Sequence, residues 1–173
     1  MDLSGKNILM IIAPENFRDE ELLEPKEILE NYGASVVIAS KNVNSANGSN
    51  GAIVSVDIDI KEANFENYDA IVFVGGSGSL VYFEDEIAHK LAKDAYKDGK
   101  IVAAICIAPS TLANAELLKG KTVTSFPSEQ KNLEYHGANY TGKMVEVDER
   151  IITGNGPSAA TEFGEKIAEA LSQ

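Results

Sequence analysis

Short apolar runs separated by amphipathic segments dominate this chain. Four runs, Asn7–Ala13, Ala34–Ala39, Ala70–Val74 and Ile101–Ile105, are apolar at nearly every position. A continuous apolar run is typical of a strand that is buried on both faces of a sheet. Such strands, when they alternate with helices of about 10–15 residues, favour a parallel sheet covered by helices on both sides. The pattern therefore predicts an α/β fold in a single domain that spans residues 1–173.

The other elements follow from helical periodicity, period-two alternation and the positions of proline and glycine. We predict helices at Asp19–Tyr32, Phe83–Lys97, Ser110–Leu118, Glu129–His136 and Ser158–Leu171. We predict an edge strand at Ile53–Ile60, a short strand at Thr122–Ser125, and a hairpin of Met144–Val147 with Arg150–Thr153. Lys41–Gly51 is rich in Ser, Asn and Gly and is predicted to be a loop. Pro25 is expected to kink or restart the first helix, because proline lacks the N–H that a helix interior requires.

The charge balance limits the partners of this chain. It has 15 Lys and Arg against 27 Asp and Glu, a formal net charge of −12. Nucleic acids and anionic membranes attract clustered Lys and Arg, so we expect neither as a partner. The apolar runs are shorter than the roughly 18–20 residues of a membrane span, and the first residues do not have the pattern of a signal peptide. We therefore expect a cytoplasmic protein.

Cys106 is the only cysteine, and it directly follows the apolar run Ile101–Ile105. A helical pattern begins within a few residues, so the cysteine is predicted to lie at a strand-to-helix turn. Backbone N–H groups and the positive end of a helix dipole favour a thiolate over a thiol at such a turn. The alternative is a buried cysteine that acts as a small hydrophobic residue. A lone cysteine excludes an internal disulfide and a zinc site with several cysteines.

Three loops follow the carboxyl ends of predicted buried strands: Pro14–Phe17, Gly75–Ser79 and Cys106–Ser110. Sites in parallel sheets form in the crevice at those ends, so the three loops can converge. The glycines of the second loop allow backbone N–H groups to approach a ligand, as an oxyanion site requires; a tight turn is the alternative. Glu21 could reach the same place and hydrogen-bond the sulfur when protonated or act as a base when ionised. Its alternative role is to complement a helix dipole in solvent.

The chain has two histidines, His89 and His136. His89 is expected on a helix surface and His136 at a helix C-terminus, where a cation is favourable. Distance in sequence does not exclude closeness in space, so His136 remains a candidate partner of Cys106. Two isolated histidines do not supply the close spacing of metal ligands, and we predict neither a metal nor a cofactor site.

Four segments, in their order along the chain, resemble the DJ-1/PfpI superfamily, which is related to class I glutamine amidotransferases. They are Phe17–Pro25 with Glu21, Asp69–Gly76, Ala103–Pro109, and Ile151–Ser158 with Glu162 and Phe163. The resemblance covers nearly the full length. It implies a flavodoxin-like three-layer sandwich, with a mostly parallel sheet, helices on both faces and a small hairpin. It also implies a homodimer in most cases.

The resemblance further implies roles for individual residues. Cys106 would be the nucleophile at a strand-to-helix elbow, in a strained backbone conformation. Glu21 would be the acid that hydrogen-bonds this cysteine. The N–H groups of Gly75, Gly76 and Ile107 would form an oxyanion pocket.

Three departures from the family bear on function. Protease-like and chaperone-like members commonly have a histidine directly after the cysteine, where this chain has Ile107. The redox-sensing branch typically has a histidine near the position of Phe126 and an arginine at that of Asn155. The late His-x-Glu of glutamine amidotransferases is absent. We therefore expect a more apolar pocket, in which the thiol has no basic partner and peptidase activity is not favoured.

Three functions remain open from the sequence. The first is a cysteine-dependent hydrolase, glyoxalase or deglycase that acts on a small carbonyl or glycated substrate. The second is a redox-sensing stress protein that responds through oxidation of Cys106 and turns nothing over. The third is a scaffold that binds a partner.

Overall fold

The central layer of the molecule is a seven-stranded sheet in the computed structural model, which describes residues 1–173. The strands are β1 Asn7–Ile11, β2 Glu15–Phe17, β3 Ser35–Ser40, β4 Ser45–Gly48, β5 Ile53–Ser55, β6 Ile58–Asp59, β7 Ala70–Phe73, β8 Ile101–Ile105, β9 Thr122–Val123, β10 Asn139–Tyr140, β11 Val145–Asp148 and β12 Ile151–Gly154. The helices are α1 Asp19–Asn31, α2 Glu86–Lys97, α3 Pro109–Asn114, α4 Gln130–Tyr135 and α5 Ala160–Leu171.

The order of strands in the main sheet is β11-β12-β8-β7-β1-β3-β6. All neighbours are parallel except β11, which pairs with β12 in an antiparallel hairpin. The mostly parallel sheet and its small hairpin are thus confirmed. Because β7 lies between β1 and β8, the loops that follow these three strands meet at one edge of the sheet.

Both faces of the sheet are buried, as the continuous apolar runs predict. One core cluster of 24 residues lies between the sheet and the pair α1 and α5, and a second of 22 residues lies under α2, α3 and α4. Within β1, Ile8 and Met10 belong to the first cluster, whereas Leu9 and Ile11 belong to the second. Alternate side chains therefore reach opposite layers, which gives the predicted three-layer sandwich.

The segment after β3 differs from the prediction. Lys41–Gly51 is not wholly a loop, because Ser45–Gly48 forms β4 in a small sheet with β2 and β5. The predicted strand Ile53–Ile60 is two strands: β5 belongs to this small sheet, and β6 pairs with β3 at the edge of the main sheet. The weak strand propensity of Ser-Ala-Asn-Gly is overridden by pairing with β2, a tertiary contact that local composition does not reveal.

Two helices are shorter than predicted by three residues or more at one end. The α2 helix begins at Glu86 rather than Phe83, because the carboxylate of Asp85 accepts hydrogen bonds from the N–H groups of Ile87 and Ala88 and caps the helix there. The α3 helix ends at Asn114, and Glu116 two residues later has a positive φ of 63°, which a right-handed helix does not allow.

Pro25 does not divide α1, which runs as one helix from Asp19 to Asn31. The proline is buried, and α1 packs on α5 at this level. A methyl group at Gly164 of α5 would lie 2.9 Å from Pro25 Cα and 3.2 Å from Ile28 Cδ1. The absence of a side chain at Gly164 therefore allows the two helices to approach closely.

We expect Gly164→Ala to lower the free energy of unfolding by about 1–3 kcal/mol. Alanine is otherwise favoured over glycine inside a helix, so a loss of stability would report the contact with α1. Urea denaturation measures the change, with the exposed Glu162→Ala in the same helix as the control. A stabilised Gly164→Ala variant would show that the helices do not approach this closely.

Candidate active site

Cys106 lies at the sharp turn between β8 and α3. Its φ is +65°, a left-handed conformation that residues with a side chain rarely adopt. Two hydrogen bonds hold this backbone: the Cys106 N–H donates to the Gly154 carbonyl at 2.9 Å, and the Cys106 carbonyl accepts from the Phe126 N–H at 2.8 Å. The side chain is 9% exposed, so the sulfur is nearly buried at the carboxyl edge of the sheet.

The Glu21 carboxyl lies against Cys106 and is fully buried. Gly75 lies between them: a methyl group there would be 2.5 Å from Glu21 Oε1 and 2.6 Å from Cys106 Cβ. The carboxyl contacts the Cys106 thiol and the Gly75 N–H. These contacts fall short of ordinary hydrogen-bond geometry, since neither carboxyl oxygen has a well-formed hydrogen bond.

Burial determines the protonation of this pair. It raises the pKa of Glu21 to about 8, more than the contacts with Cys106, Arg18 and Gly75 lower it. Glu21 therefore holds a proton at neutral pH and can donate it. Burial also raises the pKa of the Cys106 thiol, and the charge of an ionised Glu21 raises it further. The two groups titrate as a coupled pair, and protonated Glu21 does not repel a thiolate.

The turn was expected to favour a thiolate, but burial of Cys106 favours the thiol. The N–H groups of Gly76 and Ile107 lower the pKa of Cys106, but burial raises it by more. The α3 helix has only six residues, so its dipole is short. The resting side chain is accordingly a thiol with an acid beside it.

The three predicted oxyanion donors separate into two groups. The N–H groups of Gly76 and Ile107 face the Cys106 sulfur, whereas that of Gly75 faces the Glu21 carboxyl. Gly76 has a φ of +100°, and a methyl group there would be 2.5 Å from the Asn16 carbonyl oxygen. Only glycine fits at this crossing of two loops, which places the Gly76 N–H at the sulfur.

Cys106 opens onto a cleft of about 470 Å³. One part of the lining is apolar: Leu80, Ile107, Phe126 and Pro157. The rest is largely polar: Arg18, Ser49, Ser77, Ser128 and Glu129. Phe126 is 45% exposed in the place where the redox-sensing branch has a histidine. The pocket is therefore mixed rather than simply apolar.

Arg18 is the site residue that the sequence analysis missed. It directly precedes α1, its side chain is 40% exposed, and its Nε donates to Glu20. The pair with Glu20 raises the pKa of Arg18, and the nearby Glu21 and Cys106 add smaller effects in the same direction. Arg18 is a cation rather than a base, so the expectation that the thiol has no basic partner stays a prediction. The position of Arg18 three residues before Glu21, after the β1 loop, was the available signal.

Neither histidine lines the cleft. His136 Nδ1 lies 3.0 Å from Glu116 Oε1 at the C-terminal end of α4. His89 Nε2 lies 2.7 Å from the Phe83 carbonyl oxygen. The fold thus gives His136 a local partner and does not bring it to the cleft of Cys106.

No group of three or more His, Cys, Asp and Glu side chains is arranged to hold a metal ion. None of the helices combines the length and the apolar character needed to cross a membrane.

We expect the stabilising effect of buried, neutral Glu21 to disappear as the pH rises. Its folded pKa of about 8 lies above its ordinary value of 4.5, so the contribution is complete below pH 4.5 and is lost as the pH rises through 8. The free energy of unfolding of the wild type, relative to Glu21→Gln, should fall in this window by at most about 1.4 kcal/mol per pH unit. Urea denaturation at several pH values measures it.

The matched control for this experiment is Glu27→Gln, an exposed carboxylate on the same helix. Its difference from the wild type should stay constant over the window. A flat wild-type minus Glu21→Gln difference would mean that Glu21 is ionised throughout.

The comparisons with known proteins give the family and the fold of this chain. The model of the DJ-1/PfpI family matches residues 6–170. An uncharacterised protein of Methanocaldococcus jannaschii is 37% identical to this chain, over 98% of the chain and 84% of the relative. The similarity therefore extends over nearly the whole chain.

Solved structures show the same fold. A ThiJ/PfpI domain protein of Brachyspira murdochii superposes with a TM-score of 0.94 at 32% identity, over 97% of this chain and 98% of that one. DJ-1beta of Drosophila melanogaster gives a TM-score of 0.88 at 30% identity, over 99% of this chain and 91% of that one. With an elbow cysteine, a buried glutamate and a sheet of this order, the chain belongs to the DJ-1/PfpI family.

Proposed function

We propose that this protein is a cysteine-dependent enzyme that acts on small carbonyl compounds, as a glyoxalase, deglycase or related hydrolase. The observation that carries the proposal is the arrangement around Cys106. Its sulfur opens onto a cleft, two backbone N–H groups face it, and a buried acid with a pKa of about 8 contacts it. A structural cysteine needs none of these three features.

The first step of the proposed reaction is addition of the thiol to an aldehyde. The Cys106 sulfur forms a bond to the carbonyl carbon, and the electron pair of the C=O π bond moves to the oxygen. The N–H groups of Gly76 and Ile107 stabilise the negative charge that develops there. Glu21 donates its proton to this oxygen and then accepts the thiol proton, so the thiohemiacetal forms without net loss of a proton.

An α-oxo-aldehyde can continue to a stable product. Removal of the proton from C1 and its return at C2 converts the thiohemiacetal into the thioester of a 2-hydroxy acid. Water then cleaves the thioester and frees Cys106. C1 is oxidised, C2 is reduced and one water is consumed, so the balance requires no external oxidant.

The resemblance also suggests where the enzyme works. We propose a homodimer in the cytoplasm that acts on a small-molecule substrate. Peptidase activity is not proposed, because Ile107 occupies the place of the histidine that protease-like members have after the cysteine.

The rate at which the protein consumes methylglyoxal tests the proposed enzymatic activity directly. We expect Cys106→Ala to abolish turnover and Glu21→Gln to lower kcat by about 100-fold or more, because it removes the proton donor. The wild-type rate should fall above a pH of about 8, where Glu21 loses its proton. His136→Ala, outside the cleft, should retain the wild-type rate. Equal rates for the wild type and Cys106→Ala would refute the proposal.

A redox sensor is the second candidate, and the proton on Glu21 favours it. A protonated carboxyl beside the sulfur can donate a hydrogen bond to an oxygen of Cys106 sulfinate and stabilise that state. The raised pKa of the thiol acts against it, since the thiolate is the form that oxidises.

Mass spectrometry after mild peroxide treatment tests the sensor. We expect the wild type to gain two oxygen atoms at Cys106 and Glu21→Gln to continue more readily to further oxidation. An unmodified Cys106 would eliminate the sensor. If Cys106 neither oxidises nor turns over an aldehyde, the role of a binding scaffold is what remains.

A further inference from the structure

The cleft contains a single cationic side chain, Arg18, among the residues that line it. Its Nε is occupied by Glu20, but its two terminal nitrogens have no hydrogen-bond partner in the protein. These nitrogens are donors in a planar fork, which matches the two oxygens of a carboxylate. The residue that carries these free donors thus lines the same cleft as Cys106.

The only other arginine of the chain has a structural role, which makes the contrast informative. The Arg150 guanidinium lies 4.2 Å from the centre of the Tyr96 ring, and its Nη1 donates to the Tyr96 carbonyl at 2.8 Å. Arg18 makes no such stacking contact, and its side chain does not cap α1. Apart from the pair with Glu20, no side-chain contact within the protein occupies the Arg18 guanidinium.

The overall charge makes a cation at this place more significant. The net charge of −12 gives the molecule a field that repels anions. The cleft lining has one cation, Arg18, and one carboxylate, Glu129, together with the hydroxyl-bearing Ser49 and Ser77. Arg18 and the two serines provide donors for an anion beside the nucleophile.

We propose that Arg18 binds a carboxylate of the substrate while Cys106 attacks its aldehyde carbon. The substrate class is then a carboxylate-bearing α-oxo-aldehyde, rather than a neutral one such as methylglyoxal. This inference rests on the proposed function for its chemistry: the same thiohemiacetal, thioester and hydrolysis steps convert the aldehyde and one water into a 2-hydroxy acid. Arg18 is a specificity residue in this scheme, and it exchanges no proton.

A pair of alkylating reagents tests the anion site without any turnover. Iodoacetate and iodoacetamide both add to the sulfur with loss of iodide, but only iodoacetate carries a carboxylate. Both react with the same thiolate, so the ratio of their rates at Cys106 cancels the thiol pKa. We expect the wild-type ratio to exceed that of free glutathione about 10-fold, although the protein is an anion.

Three variants locate the effect. Arg18→Gln should reduce the ratio to the glutathione value or below, and Arg18→Lys should retain part of it. Lys90→Gln is the matched control, because it removes the same charge outside the cleft. Lys90 is 77% exposed on α2 and pairs with Asp94, as Arg18 pairs with Glu20. A wild-type ratio no higher than that of glutathione, or one that Arg18→Gln leaves unchanged, overturns the inference.

Turnover separates this inference from the proposed function. With 4,5-dioxovalerate and its neutral methyl ester as probes, we expect kcat/KM to favour the acid in the wild type, and Arg18→Gln to raise KM for the acid alone. If kcat/KM is equal for the acid and the ester and both reactions depend on Cys106, the carboxylate site is refuted, whereas the proposed enzymatic activity is retained. Absence of Cys106-dependent turnover with both probes and with methylglyoxal would refute the enzyme, while the alkylation ratio still decides the anion site.

Discussion

The contact between the Glu21 carboxyl and Cys106, across the bare backbone of Gly75, is the constraint on which the site depends. A methyl group at Gly75 would collide with both side chains. The order of the central strands produces this contact, because β7, which is followed by the loop with Gly75, lies between β1, which leads to α1, and β8, which leads to Cys106. Sheet topology and the chemistry of the site are therefore inseparable in this molecule.

Burial gives the pair its character. A carboxyl in this position keeps its proton at neutral pH, and a thiol in this position resists ionisation. A neutral acid beside a thiol is suited to the addition of an aldehyde, in which one proton must be given and another taken. Arg18 also lines the cleft, and its proposed role is to bind a carboxylate of the substrate.

Much of the architecture could be predicted from local pattern. Buried parallel strands are apolar throughout, and the runs ending at Ile11, Phe73 and Ile105 follow that rule. The small sheet could not be predicted, since Ser45–Gly48 becomes a strand only through pairing with β2 and β5. The composition of a segment does not show which other strand it will pair with.

The site shows the same division. The positions of Cys106 and Glu21 followed from the convergence of loops and from the family motifs. Which N–H faces which group could not be foreseen, because it depends on backbone directions at Gly75 and Gly76. The protonation of Glu21 and the place of Arg18 also depend on depth in the fold, which sequence spacing does not report. At the site, the features that could not be predicted are therefore distances, backbone directions and degrees of burial.

The pH titration of the Glu21 carboxyl carbon by NMR, assigned through its loss in Glu21→Gln, tests the central claim most directly. The account predicts that the signal reports a protonated acid at neutral pH and titrates with a midpoint near 8. A midpoint at the ordinary value of 4.5 would contradict it, because the acid beside Cys106 would then be ionised at neutral pH.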